Sequence, residues 1–281
     1  MAYADTLTGA DFLSFLRERL VLLRDLLSDR GSIYLHIDTK IGHYVKVLMD
    51  EVFELDGFRN DITRIKCNPK NFARTAYGNM KDMILFYSKG PTPIRNDPRD
   101  PFATGDIARL YPKIDEHGRR YTTIPLHAPG ETTKGATAQT FKGLKPPVGR
   151  HWRTRVEVLE ERDRQGLIEW SRNGVPRKRK YAKEQDGKRM QDVWTFKDPQ
   201  YPSYPTEKSA ALLDHIVRAS SAPDSIVLDC FCGSGTTLAA AAKNGRRWIG
   251  IDQSPVAIKA ATAKLKDVGA TFNTITSKPA R

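Results

Sequence analysis

The chain has 281 residues, a formal net charge of +13 and a sequence pI of about 9.6. This positive excess favours a polyanionic partner such as nucleic acid. No run approaches the roughly 20 apolar residues of a membrane-spanning helix, which argues against a membrane partner. Three cysteines are too few for a disulfide framework, so we expect a reducing, cytoplasmic location.

The first predicted helix covers residues 11 to 28, where apolar residues recur at spacings of three and four. They are Phe12, Phe15, Leu16, Leu20, Leu23 and Leu27. A central strand is predicted over residues 32–38 and a second helix over about 41–53. The residues expected to face inward from that helix are Tyr44, Val47, Leu48 and Val52.

His36 and Asp38 lie near the carboxyl end of this strand, where open α/β sheets place their ligands. Asp38 has two open interpretations, a functional role or a cap for the following helix. For His36, packing is favoured over catalysis. Further strands are predicted within 60–66 and 83–87. The loop of residues 67–80 contains Arg74 and is interpreted either as closing over a nucleic acid or as a solvated connector.

From residue 91 to about 193 the sequence is rich in proline and glycine, and residues 142–190 are strongly basic. That segment holds 15 Lys and Arg against 7 Asp and Glu, a net of +8. Trp152, Trp170, Tyr181 and Trp194 are interleaved with these cations. Arginine binds phosphates and guanine edges, and aromatic rings stack on bases, so the pattern indicates nucleic-acid recognition or else a solvated basic face.

Residues 225–253 predict a strand, a glycine loop, a helix and a second strand that ends in Asp252. Such units bind nucleoside-bearing cofactors at the strand ends. The glycines permit close approach of the backbone, and free amides at the helix start suit an anionic group. A dinucleotide fingerprint would need glycine at Leu238, and a Walker motif would need lysine at Thr236.

The segment Asp-Cys-Phe-Cys-Gly-Ser-Gly-Thr-Thr at 229–237 resembles the cofactor loop of DNA amino-methyltransferases that use S-adenosylmethionine. Residues 204–209 resemble the Pro-Thr-Gln-Lys-Pro element of that family, with Glu207, Ser209 and Cys230 as departures. Residues 31–53 and 82–89 resemble the same family. Shorter stretches in the basic region resemble a branch close to type III modification subunits.

The resemblance implies a doubly wound, Rossmann-like α/β methyltransferase sheet interrupted by a DNA-recognition insert, in permuted motif order. The implied parts are an incomplete catalytic half at 1–90, the insert at 91–195 and the cofactor half at 196–281. Both ends of the chain are expected to build one sheet. The implied partners are duplex DNA and either a second copy of the chain or a restriction subunit.

The implied reaction moves a methyl group from S-adenosylmethionine to an exocyclic base nitrogen, with adenine N6 favoured over cytosine N4, after the base leaves the stack. Expected cofactor-binding residues are Thr206, Lys208, Asp229, Phe231, Gly233, Ser234, Gly235, Thr236 and Asp252. Expected DNA-binding residues are Arg74, Arg150, Arg153, Arg155, Arg177, Lys178, Arg179 and Lys180. No metal site is expected, since Cys230 and Cys232 lack nearby histidines.

The family takes its catalytic groups from an Asp-Pro-Pro-Tyr-like tetrapeptide, and none occurs in these 281 residues. Asp198-Pro-Gln-Tyr201 comes nearest, but it precedes the cofactor half and is interpreted as a connecting loop. We therefore assign no catalytic residue and expect a chain that lacks its amino-terminal part and does not methylate DNA alone. The alternatives are a non-catalytic DNA-binding remnant, a cytosine-N4 enzyme, and a nucleotide-dependent oxidoreductase, which Leu238 and the basic insert disfavour.

Overall fold

The computed structural model describes residues 9–69, 75–183, 187–202 and 204–276. The helices are α1 (Gly9–Leu26), α2 (Gly42–Phe53), α3 (Asp106–Leu110), α4 (Val156–Arg164), α5 (Ala210–Ser220), α6 (Thr236–Lys243) and α7 (Pro255–Asp267), with a 3-10 turn at Leu55–Gly57. The first seven strands are β1 (Ser32–Ile37), β2 (Phe58–Ile65), β3 (Lys81–Ser88), β4 (Arg99–Asp100), β5 (Lys113–Ile114), β6 (Arg120–Pro125) and β7 (His127–Pro129). The others are β8 (Arg150–Trp152), β9 (Ile168–Trp170), β10 (Pro176–Tyr181), β11 (Lys188–Arg189), β12 (Val193–Thr195), β13 (Ile226–Asp229) and β14 (Arg247–Gly250).

No helix in the described ranges is both long enough and apolar enough to cross a lipid bilayer.

The chain divides into two compact units. The first joins residues 1–98 to residues 189–281, and the second comprises residues 99–188. The second unit lies within the insert predicted at 91–195.

The first unit is built on a four-stranded sheet in the order β1-β3-β2-β12. Its central strand β3 is antiparallel to both β1 and β2, while β12 is parallel to β2. Side chains of β3 alternate between two cores, because successive residues of a strand point to opposite faces. Met83, Leu85 and Tyr87 pack with α1 and α2, whereas Ile84 and Phe86 pack with Trp194 and with Leu212 of α5.

The cofactor half forms a second ladder in this unit. Strands β13 and β14 are parallel and pair only with each other among the described strands. The expectation of one sheet built by both ends of the chain is therefore wrong in part. β12 does join β2, but no described strand bridges β1 and β13.

The inward face of α2 was predicted correctly at Leu48 and Val52, which are buried, and incorrectly at two other positions. Tyr44 and Val47 are 66% and 69% exposed, whereas Val45 and Met49 are fully buried. The buried positions 45, 48, 49 and 52 follow the spacing of one helical face.

The second unit contains an antiparallel sheet in the order β5-β6-β10-β9 and the hairpin-like pair β7–β8. Its core combines Leu126, Phe141, Trp152, Ile168 and two residues of α4, Val156 and Leu159. The α4 helix thus fixes the turn after β8 against the sheet.

Candidate cofactor site and DNA-contacting side chains

The glycine loop lies over the carboxyl ends of β13 and β14, and two carboxylates hold it there. Asp252 accepts hydrogen bonds from the amides of Gly233 and Ser254, each at 2.9 Å. Asp229 accepts one from the amide of Phe231 at 3.1 Å. Since a carboxylate has about four acceptor sites, Asp252 keeps acceptor capacity beyond the two amides that it binds.

Positions 235 and 238 of the fingerprint each have a steric explanation. Gly235 has a φ of +74°, and a Cβ there would lie 2.7 Å from the Cβ of Ala261, so glycine allows α7 to approach the loop. Leu238 stands where a dinucleotide site would have its third glycine. Its side chain is 2% exposed and packs against Gly250, where an added Cβ would lie 2.3 Å from it. In a dinucleotide site the glycine at this contact belongs to the helix. Here α6 contributes the large residue, Leu238, and β14 contributes the glycine, Gly250.

Lys264 of α7 binds side chains of the glycine loop. The sequence analysis did not predict this residue. Its Nζ donates to Thr236 Oγ1 at 2.9 Å and to Ser234 Oγ at 3.2 Å, and it pairs with Glu207. The only signal in the sequence was a lysine on the apolar face of α7. Both hydroxyls are buried and bonded to Lys264. Ser234 and Thr236 can therefore bind a ligand through their backbone amides but not through their side chains.

The loop presents an aromatic ring and an uncapped helix start beside Asp252. Phe231 is 52% exposed and lies 6.2 Å from the Phe15 ring, measured between centroids. Gly235 precedes α6 without any side-chain cap, so the first amides of the helix have no such acceptor. An acceptor for hydroxyls, an aromatic face and free amides fit a nucleoside that carries a carboxylate.

A buried charge cluster occupies the carboxyl edge of the four-stranded sheet. Arg64 is fully buried, donates to Phe196 O at 2.8 Å and pairs with Asp198 at 2.5 Å. Asp82 accepts from Lys66 at 2.7 Å and lies 3.6 Å from Arg64.

His36 contacts the same carboxylate, with its Nε2 2.9 Å from Asp82. Burial lowers the pKa of His36 more than this bond raises it, so the neutral ring donates from Nε2. Burial alone would raise the pKa of Asp82, but hydrogen bonds from His36 and Lys66 hold it far below its usual range. His36 is thus part of a charge network.

The charges of this cluster also affect the pKa of Lys208. Burial lowers its pKa, and Arg64 and Lys66 lower it further, while Asp198 and Asp82 offset only part of the effect. Burial is thus the main cause of the lowered pKa, and an anionic ligand beside the ammonium group would oppose it. Thr206, two residues earlier, is exposed and donates its hydroxyl to Pro205 O.

Asp198 is held within the protein. Besides its ion pair with Arg64, its amide donates to Lys66 O at 3.0 Å, and Tyr201 at the end of the tetrapeptide is 87% exposed. Asp38 accepts from the Lys40 amide at 2.8 Å in the turn before α2, without serving as a side-chain cap for that helix.

The predicted DNA-contacting residues divide into two groups. Arg177 donates to Thr123 at 2.9 and 3.0 Å, and Arg179 lies over the Tyr121 ring near Glu169, so both bind within their own unit. Lys178 and Lys180 alternate with them and point to the opposite face of β10. Arg150, Arg153 and Arg155 are exposed, and Arg150 Nη1 contacts the His127 ring at 3.3 Å. Arg74 lies outside the described residues.

Within the described ranges, no group of three or more His, Cys, Asp and Glu side chains is arranged to hold a metal ion. Burial raises the pKa of Cys232 to about 12, with Asp229 and Asp252 adding to the effect.

Asp82 should stabilise the fold in a pH-dependent way. Asp82→Asn leaves Arg64 and Lys66 without their shared charge, and we expect a loss of about 3–5 kcal/mol at pH 7. Because the folded pKa is depressed, this stabilisation is present above the unfolded value near 3.9 and declines as pH falls through the folded value. Urea unfolding should show a gap between the proteins at pH 7 that narrows at about pH 3.

Asp61→Asn is the control, since Asp61 is exposed on the neighbouring strand β2, and it should change little at either pH. A gap for Asp82→Asn that stays constant with pH would contradict the assigned charge state.

Gly235→Ala should destabilise the loop by more than its backbone conformation alone requires. Positive φ costs about 1–2 kcal/mol for alanine, and overpacking against Ala261 adds about 1–3 kcal/mol. Gly245→Ala is the matched control, because Gly245 has a φ of +69° and no atom within 4 Å of the added Cβ. Thermal unfolding should rank Gly235→Ala below Gly245→Ala, with partial recovery on adding Ala261→Gly. Equal melting temperatures for the two alanine variants would refute the close approach.

The comparisons with known proteins agree with this geometry. Residues 1–263 match the N6/N4 methyltransferase family model, described as DNA methylase. The chain is 43% identical over 264 residues to the type II methyltransferase M.EcaI of Enterobacter cloacae, covering 92% of this chain and 58% of that protein. It is 27% identical over 256 residues to the Mod subunit of the type III restriction-modification enzyme StyLTI of Salmonella typhimurium strain LT2, covering 82% of this chain and 38% of that protein.

The chain thus spans little more than half the length of M.EcaI and less of the Mod subunit. Among solved structures, the cytosine-N4-specific PvuII DNA methyltransferase aligns with a TM-score of 0.53 at 12% identity, covering 98% of this chain and 78% of that one. This likeness confirms the α/β methyltransferase fold. The family match over most of the length shows that the chain belongs to the N6/N4 DNA methylases, a family that uses S-adenosylmethionine.

Proposed function

We propose that this chain carries the cofactor-binding and DNA-binding parts of a site-specific DNA amino-methyltransferase. The reaction is methyl transfer to an exocyclic base nitrogen, with adenine N6 favoured over cytosine N4. The observation that carries the proposal is Asp252, which lies two residues after β14 and accepts a hydrogen bond from the Gly233 amide of the glycine loop. Its remaining acceptor sites suit the two hydroxyls of a ribose.

S-adenosylmethionine supplies an electrophilic methyl group on its sulfonium. In our proposal Asp252 binds the ribose, and the exposed ring of Phe231 packs beside the nucleoside. The backbone of Gly233–Gly235 and the first amides of α6 face the methionine portion, where Lys208 adds positive charge. Asp229, Ser234 and Thr236 shape the loop, and Thr206 is exposed in the segment before α5.

The residues described so far do not activate the amino group of the acceptor base. An exocyclic amino nitrogen is a poor nucleophile, because its lone pair is delocalised into the ring. Catalysis requires acceptors for its hydrogens and alignment with the methyl group. Asp198 is engaged by Arg64, so in our proposal it positions the chain before the cofactor loop and is not a catalytic group.

The proposed macromolecular partner is duplex DNA, bound through the basic second unit with the target base flipped out. Restriction-modification context is proposed from the similarity to the Mod subunit, with a second copy or a restriction subunit as protein partner.

Asp252→Asn should weaken binding of S-adenosylmethionine by about tenfold or more. The variant loses charge-assisted bonds to hydroxyls worth roughly 1.5–3 kcal/mol, and it also leaves the amide of either Gly233 or Ser254 without its oxygen acceptor. Isothermal calorimetry on wild type and variant measures the change. Asp267→Asn at the exposed end of α7 is the charge-matched control and should leave affinity unchanged. NADH binding as tightly as S-adenosylmethionine would favour an oxidoreductase instead.

The 281-residue polypeptide should bind cofactor and duplex but transfer methyl groups only at background level, because it contains no Asp-Pro-Pro-Tyr-like tetrapeptide. The assay is transfer of labelled methyl groups to mixed-sequence duplex, with product analysis for methylated adenine and cytosine. Adding a segment that contains this tetrapeptide should give methyl transfer. If no methyl transfer is detected even then, the alternative of a non-catalytic DNA-binding remnant is favoured.

Asp198→Asn is the informative variant in this assay. We expect it to lower thermal stability, since Arg64 loses its charged partner. Strong incorporation by the wild-type polypeptide that Asp198→Asn abolishes without changing stability would assign Asp198 to catalysis.

A further inference from the structure

The second unit contains a small cavity that the cofactor site does not involve. Its volume is about 160 Å³, and it lies between β6, the turn after β8, α4 and β10. At about 30 Å³ per water molecule this is room for roughly five heavy atoms, the size of a phosphate group. The floor is apolar, formed by Ile124, Pro125, Leu126 and Leu159.

The rim of the cavity carries three cations, Arg153, Arg162 and Lys178. No acidic residue is among the described residues that line it, and no ion pair in the described part of the chain involves these three side chains. Burial lowers the pKa of Lys178, and Arg162 and Lys180 lower it further. The three cations of the rim are therefore not engaged in ion pairs among the described residues, although Glu157 and Glu161 lie near Arg162 on the outer side of α4.

The positive field extends to one side of the cavity. Burial lowers the pKa of His127, and Arg150, Arg153 and Arg177 lower it further. Arg153 thus contributes to both places. A protonated His127 is disfavoured there, which leaves the guanidinium groups as the charged donors.

Thr154 adds a polar group that has no use inside the protein. It lines the cavity, and its Oγ1 is buried without a hydrogen-bond partner among the described residues. A buried hydroxyl without a partner costs free energy, and a hydrogen bond to a bound ligand would recover that cost. A hydroxyl beside three cations can donate to an anion.

We propose that this cavity binds one phosphate of the DNA backbone, held by Arg153, Arg162 and Lys178 and by the Thr154 hydroxyl. The inference rests on the proposed function, because duplex DNA supplies the phosphate. A cavity with room for roughly five heavy atoms can admit a phosphate group but not a base, so its cations cannot reach a base edge inside it. The contact therefore fixes the register of the insert on the duplex and carries no sequence preference.

Lys178→Met tests the charge while keeping the length of the side chain. Duplex affinity is measured by fluorescence anisotropy over a range of salt concentrations on at least three unrelated sequences. We expect weaker binding by a similar factor on every sequence and a salt slope reduced by about 0.9 logarithmic units. Lys145→Met removes the same charge from an exposed residue outside the cavity and should leave the slope unchanged. An unchanged slope for Lys178→Met, or weakening confined to one sequence, overturns the proposal.

Thr154→Val separates binding from folding. The substitution preserves shape and removes the unpartnered hydroxyl, so thermal stability should stay equal or rise, while duplex affinity falls about five- to tenfold. Unchanged affinity, or a fall in stability that accounts for the lost binding, counts against the site.

Inorganic phosphate distinguishes the source of the anion. We expect it to compete with duplex for the wild-type protein and much less for Lys178→Met. Phosphate binding that depends on Lys178 without any effect of the variant on duplex affinity would make this a free-anion site. If wild-type protein fails to bind duplex at all, the proposed function fails, whereas salt-dependent duplex binding that ignores these variants refutes this inference alone.

Discussion

The first unit depends on the pairing of one buried cation. The Arg64 guanidinium is inaccessible to solvent, and a charge in that position is tolerated only when partners surround it. Its partners come from two distant parts of the chain, Asp82 on β3 and Phe196–Asp198 beyond β12. Arg64 therefore fixes where the chain returns from the second unit, and the segment that leads to the cofactor loop starts from that point.

Lys264 repeats this principle on the cofactor side. It binds Glu207 from the returning segment and the hydroxyls of Ser234 and Thr236 from the loop. Two cations, Arg64 and Lys264, thus hold the two ends of residues 196–208. Lys208 directly follows Glu207, and burial lowers its pKa. The geometry of the site is set by charges that belong to helices and strands, while the loop itself is positioned by hydrogen bonds to Asp252 and Asp229.

The sequence predicted those features of the structure that depend on neighbouring residues. The apolar runs at β1, β3 and β13 and the Gly233–Gly235 turn gave the strands, the loop and, through the family resemblance, the cofactor. Long-range partners were not predictable in the same way, because the bonds of Arg64 join residues 132 and 134 positions apart. A basic residue in a strand predicts exposure, yet Arg64 is buried. Two inward residues of α2 were predicted incorrectly because apolar residues at 44 and 47 fit the spacing of a helical face almost as well as those at 45 and 49.

The basic run at residues 177–180 shows how charge and strand geometry combine. Composition predicts one DNA-binding patch, but alternation along β10 separates Arg177 and Arg179, which bind Thr123, Tyr121 and Glu169, from Lys178 and Lys180. Cations with partners inside the unit stabilise it. Lys178 and Lys208 instead have lowered pKa values, and burial is the largest cause in both cases. A buried ammonium group gains from an anion placed beside it, which is why our proposals assign a phosphate to Lys178 and a carboxylate to Lys208.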